Sequence, residues 1–272
     1  MTDLLVKPTA PDADGSVLKV TPESAGWDYV GFEVLKPEAG GRIERAMPGR
    51  EVCIVPVTGT IDVTVDDGSS GGDRLFGKVG GRTSPFDGKP QAVYVPAGAA
   101  FAIEAVTAAE IAICSAPGKG GHAARLIGPD DVGFEERGTG TNRRLIHNIL
   151  PETAPAESLL VVEVVTPGGN WSSYPPHKHD RDAPPEETKL EETYYHRLSP
   201  PQGFAFQRVY TDDRSLDETM AVGDGDCVLV PRGYHPVGAP HGYDLYYLNV
   251  MAGPRRQWKF WNDPDHRWLL ER

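Results

Sequence analysis

Short runs of Val, Ile, Tyr and Phe, each cut off by glycine or proline, restrict the fold of this chain more than any other feature. VCIVPV, IDVTV, AVYVPAG, AFAIEAV, AEIAICSA, LLVVEVV, GFAFQRVY, DCVLVPRG and DLYYLNVM recur along it, and 31 Gly and 25 Pro punctuate them. Runs of about four to eight such residues bounded by turn formers are strands. Their close spacing predicts an all-β sandwich or barrel. No long segment carries the apolar period of a helix. At 272 residues the chain has room for two barrels, each with its own core.

A weak internal repeat supports two barrels. Val93-Tyr-Val-Pro-Ala-Gly98 matches Val228-Leu-Val-Pro-Arg-Gly233 at an offset of 135 residues. Glu51, opening EVCIVPVTG, matches Glu192, opening ETYYHR, at an offset of 141. Two signatures at nearly one offset point to duplication of a β unit. The reading is an N-terminal barrel over residues 1–120, a connecting segment over 121–155, and a C-terminal barrel over 156–272 with an aromatic tail.

Charge and cysteine usage narrow the function. Lys and Arg number 27 against 39 Asp and Glu, a net charge of −12. Such a surface repels nucleic acid and anionic membranes, and an anionic substrate would need cations supplied locally. Cys53, Cys114 and Cys227 sit in apolar strand-like runs with no CxxC pattern, which predicts buried, reduced thiols. The first residues lack the basic and apolar regions of a signal peptide, and no window is apolar enough to span a bilayer. The expectation is a cytoplasmic protein.

The chemistry-bearing residues cluster in the second half. In Tyr174-Pro-Pro-His177-Lys-His179-Asp, an extended strand puts His177 and His179 on one face. In Leu190-Glu191-Glu192-Thr-Tyr194-Tyr-His196, the same period groups Glu192, Tyr194 and His196 and turns Glu191 away. Val230-Pro-Arg-Gly-Tyr-His235 ends a buried strand in a tight turn and a histidine. Three histidines and a carboxylate suit one borderline divalent ion, Zn, Mn or Fe. HxH, then a strand-opening Glu, then PxGxH resembles the paired motifs of cupin barrels. The acidic stretch from Asp180 to Leu190 is longer than that motif allows and reads as an inserted loop, with Glu186 and Glu187 as solvated charges. Residues 1–120 hold no histidine, so the first barrel cannot build this centre.

HKHD, LEETYYHRLSPPQGFAFQRVYTDDRSLDETMAV, VPRGYHPVGAPHGYDLYYLNVMAGP and WKFWNDPDHRW together resemble the 5-deoxy-glucuronate isomerase family of bacterial myo-inositol breakdown. FDGKP, YVPAG and RGTGTNRR extend the similarity into the first half. A more distant likeness, mainly in the metal motif, is to 5-keto-4-deoxyuronate isomerase of pectin breakdown. The resemblance implies a bicupin that converts 5-deoxy-D-glucuronate to 5-dehydro-2-deoxy-D-gluconate, with His177, His179, Glu192 and His235 as metal ligands. Bicupins often pair barrels across subunits, so a homo-oligomer is compatible with it.

An aldose–ketose isomerisation moves a proton between neighbouring carbons, for which Tyr194 and His196 are the candidate acid–base groups. Both could instead orient the metal ligands, and a hydride shift would need no base. Arg208, Lys178 and Arg232 are the candidate cations for the substrate carboxylate, Arg208 foremost because an arginine inside a strand is costly unless paired. Two rival functions share this scaffold: a metal-dependent dioxygenase, and a non-catalytic sugar-binding cupin. Gly138–Arg144 lacks the setting of a phosphate loop and reads as a linker packed between the barrels. His122, His147, His241 and His266 read as polar surface or interface residues. Trp258, Phe260, Trp261 and Trp268 read as a tail packed on a barrel.

Overall fold

A computed structural model describes residues 3–68 and 72–271. Nearly all of its regular structure is strand, in two curled assemblies, and the expected bicupin architecture is the one observed. The first assembly is a nine-stranded sheet. In the second, a seven-stranded sheet faces a four-stranded one.

The strand Arg50–Asp66 organises the first barrel. Its first half pairs with Glu110–Pro117 and Ala92–Val95, its second with Arg74–Arg82 and Ala100–Ala105. The switch occurs at Gly59, with φ +84°, where an added Cβ would lie 2.5 Å from the Ala108 carbonyl oxygen. Only glycine permits that bend and approach. Along this strand the two faces bury different things. Val52, Ile54, Ile61, Val63 and Val65 fill an aliphatic barrel interior. Cys53, Val55 and Val57 face the second barrel in a larger core that both share. All three cysteines are buried and free, as expected from their apolar runs.

The strand Glu191–Ser199 is the counterpart in the second barrel, central between Cys227–Val230 and Asp244–Ala252. Tyr195 packs its ring 5.6 Å from that of Phe32 across the shared layer. Its hydroxyl donates to Glu110, which also pairs with Arg197. Arg82 of the first barrel reaches Glu163 of the second through two bonds of 2.8 and 3.0 Å, and Tyr246 and His147 hold the same carboxylate. His147 is thus an interface residue.

Two reciprocal carboxylates lock this arrangement. Glu51, fully buried, accepts the main-chain N–H groups of Glu157, Ser158 and Leu159 and the Tyr94 hydroxyl. Glu191 accepts the N–H groups of Asp28, Tyr29 and Val30. Each carboxylate therefore caps the segment entering the other barrel. This corrects the sequence repeat: Val52 sits beside Val95 as Glu192 sits beside Val230, so the partner of Glu51 is Glu191.

The sheets also depart from the expected division of the chain. Leu5–Val6 pairs with Val228 and Cys227 in the second assembly. The connecting segment is itself built into both sheets. Arg125–Ile127 joins the first sheet, whereas Gly133–Arg137 and Arg144–Leu150 extend the second. Open sheet edges recruit such segments because unpaired backbone groups are costly to bury.

Glu191→Ala strands three N–H donors, that of Val30 buried and those of Asp28 and Tyr29 partly so, and should destabilise the protein by about 2–4 kcal/mol. Exposed Glu104→Ala should change stability by less than about 0.5 kcal/mol. Urea midpoints measure both, and equal midpoints would remove the clasp from the account.

Candidate metal centre

The strand His177–Lys178 is short and pairs with Trp261–Asn262, so the aromatic tail pins the HxH segment. Extended backbone then divides the three side chains. His177 and His179 turn inward, and Lys178 turns away to Asp180, at 3.2 Å, and Asp212. His235 follows a turn that needs Gly233: its φ is +93°, and a Cβ there would lie 2.5 Å from the Tyr210 carbonyl oxygen. Glu192 comes from the inner face of its strand.

These groups converge. One ligand nitrogen from each of His177, His179 and His235 lies within 4.8 Å of the others, and all three residues are buried. The His179 Nδ1 faces the Leu190 carbonyl at 3.0 Å and the His235 Nδ1 faces that of Gly233 at 2.8 Å. Both Nε2 atoms face the Glu192 carboxylate, 3.0 and 3.2 Å away. The His235 Nε2 has no hydrogen-bond partner. Burial foremost, then the imidazoles of His235 and His179, holds the His177 pKa well below its ordinary value. Three imidazoles and a carboxylate gathered on one buried point make a cation-binding set. The donor chemistry fits a divalent ion.

A cavity opens beside these residues, with Glu192 and His177 in its wall together with Ser172, Ser173, Tyr194 and Tyr247. It is tight, with a free volume of ≈ 30 Å³, room for one or two waters beside the side chains. The Tyr194 hydroxyl meets Ser173 Oγ at 2.8 Å, and the Tyr247 hydroxyl meets Ser172 Oγ at 2.5 Å. Burial foremost raises the Tyr194 phenol well above its usual range, so it stays protonated. His196 lies behind this wall, stacked on Tyr194 with centroids 6.0 Å apart and bonded to Gln207 at 2.9 Å. Burial pushes its pKa down to about 4.

The three candidate cations are not gathered here. Arg208 lies on the outer face of the strand Ala205–Tyr210, where alternate residue Gln207 points in. Two bonds of 2.7 Å tie its guanidinium to Asp217, and it covers the Tyr210 ring. The strand arginine is indeed paired, but with a protein carboxylate. Lys178 is buried against its two aspartates, and Arg232 is exposed. Glu187 is no solvated charge: it is fully buried and accepts N–H groups from Asp180 and Arg181. His241 is exposed and stands apart from the triad.

Sequence reasoning missed Arg144, Tyr247, Asn249 and Trp258, which all line the cavity. Signals existed for some of them. Tyr247 and Asn249 share a face by the period of two in an apolar strand, where an asparagine stands out. Arg144 opens the apolar run RLIHNIL but fell within the stretch read as a linker. Instead of packing between barrels, that stretch borders the cavity, with Asn142 Nδ2 donating to the Tyr174 carbonyl. Phe260 of the tail lies over His177, ring centroids 4.6 Å apart.

Comparison with known proteins agrees with this arrangement. The sequence profile of the KduI/IolB family matches residues 4–269. The chain belongs to that family. A relative from Geobacillus kaustophilus named 5-deoxy-glucuronate isomerase is 54% identical over 272 residues, covering 100% of this chain and 96% of that protein. One of the same name from Bacillus subtilis strain 168 is 52% identical over 277 residues, with both chains fully covered. The crystal structure of an IolB-like protein from Salmonella typhimurium LT2 superposes with a TM-score of 0.93 at 50% identity, covering 98% of this chain and 99% of that one. Oxalate decarboxylase from Lactobacillus farciminis shares the fold, with a TM-score of 0.66 at 13% identity over 96% of this chain and 89% of its own. No helix among the described residues is long and apolar enough to cross a membrane.

The neutral burial of His196 has a measurable sign. Its folded pKa of about 4 lies below the ordinary 6.5. Its contribution is therefore complete above about pH 6.5 and is lost as pH falls toward 4. Between pH 7 and pH 5 this residue should account for about 2 kcal/mol of lost stability. His196→Gln should show a correspondingly shallower decline in urea midpoint, and parallel declines would refute the assignment.

Proposed function

We propose that this chain is a divalent-metal-dependent aldose–ketose isomerase that converts 5-deoxy-D-glucuronate to 5-dehydro-2-deoxy-D-gluconate. The observation that carries the reading is the convergence of His177, His179, His235 and Glu192 on one buried point beside a hydroxyl-lined cavity. Full-length relatives above 50% identity that bear the isomerase name support the substrate.

Zn, Mn or Fe held by these four residues would supply Lewis acidity to the substrate carbonyl and its neighbouring hydroxyl. In the reaction the hydroxyl-bearing carbon loses a hydrogen and the aldehyde carbon gains one. The residues divide the remaining work. Tyr194, kept protonated by burial and held by Ser173, stands in the cavity wall to donate to and recover a proton from a substrate oxygen. His196 positions Tyr194 by stacking against it, with Gln207 fixing the imidazole. Phe260, lying over His177, limits water at the ligands.

Chelation of the purified protein should abolish turnover of 5-deoxy-D-glucuronate, and adding back Zn, Mn or Fe should restore it. His235→Ala should leave the protein folded and reduce bound metal at least about tenfold by elemental analysis. Tyr194→Phe should lower kcat by about 10²-fold with KM little altered. In deuterated water the product should carry deuterium on the carbon that was the aldehyde. Folded protein inactive with every ion would end the isomerase reading, and deuterium-free product would replace proton transfer with a hydride shift.

A further inference from the structure

Arg144 is a buried cation without a counter-ion. It is 8% exposed at the start of the strand Arg144–Leu150. Its Nη1 donates to the Asn142 carbonyl and to Asn142 Oδ1, at 3.0 and 3.1 Å, and it forms no ion pair among the described residues. Arg82, also buried, is matched by Glu163. Arg137, which lines the same cavity, is tied to Glu135. An unmatched guanidinium buried in a protein of net charge −12 is costly unless an anion meets it.

Its surroundings say what kind of anion. Arg144 shares one cavity with the ligands His177 and Glu192, with the hydroxyls of Ser172, Ser173 and Tyr247, and with Trp258. The Trp258 indole N–H is buried and has no partner. Unused donors beside a row of hydroxyls fit a ligand rich in oxygen, and a guanidinium fork fits a planar carboxylate. We infer that Arg144 anchors the carboxylate of a short polyhydroxy acid whose carbonyl end meets the metal ligands. This rests on the isomerase reading for the identity of the acid, and it replaces Arg208, Lys178 and Arg232 in the role of substrate cation.

Binding separates the anchor from turnover. The probe is the substrate acid with its aldehyde reduced to an alcohol, which cannot isomerise, compared with its neutral primary amide. Calorimetry uses metal-loaded protein. Wild type should bind the acid roughly 30-fold more tightly than the amide, the range of a charge-assisted bond. Arg144→Gln should bring the two within about threefold by weakening only the acid. Arg208→Gln should preserve the preference. If Arg144→Gln does not fold, Arg144→Lys decides, because losing the fork should cut the preference to about fivefold or less. A preference unchanged in the Arg144 variants overturns the anchor, as does wild type binding acid and amide alike or neither. Acid preference that depends on Arg144, in a protein that turns over nothing, would uphold the anchor and sink the isomerase reading instead.

Discussion

Each barrel sends one buried carboxylate into the main-chain N–H groups at the entrance of the other. Glu51 takes three from Glu157, Ser158 and Leu159, and Glu191 takes three from Asp28, Tyr29 and Val30. Several main-chain donors gathered on one carboxylate bind it more strongly than neutral pairs bind, and the Val30 and Leu159 bonds are buried. Glu191 adjoins Glu192, the carboxylate of the candidate centre, in the chain. Extended geometry turns one to the neighbouring barrel and the other to the cavity, so the clasp that joins the barrels also aims a ligand at the centre.

The two interiors show how one scaffold carries different roles. Val52 and Ile54 of the first barrel occupy the pairing positions held by Glu192 and Tyr194 in the second. Aliphatic packing makes the first barrel a solid support. The second gives up that packing for a wall of hydroxyls, imidazoles and the guanidiniums of Arg137 and Arg144. Its polar interior is held by the first barrel through Arg82–Glu163, the Glu110 cluster and the shared apolar layer. Rigid support of this kind is what a preorganised metal site needs.

Much of the site was legible because its determinants are local. The period of two grouped His177 with His179 and Glu192 with Tyr194, and it separated Glu191, Lys178 and Tyr195 from them. The substrate cation was not legible in this way. Arg208 and Arg144 both belong to strands, and the argument that a strand arginine must be paired applies equally to each. Which one finds a protein carboxylate depends on the cross-strand register: Arg208 has Asp217 within reach, and Arg144 has only asparagine oxygens.

By itself the sequence determined the strand-rich class, the duplication, the histidine-free first barrel and the grouping of three histidines with Glu192, because each is written in residue types at short spacing. Tertiary structure alone decided the rest. It moved Leu5–Val6 into the second sheet, made Glu191 rather than Glu192 the partner of Glu51, and brought Arg144, Tyr247 and Trp258 to one cavity. Those outcomes depend on contacts between segments some hundred residues apart, whose pairing is set by sheet edges and shared burial and leaves no periodic trace in the chain.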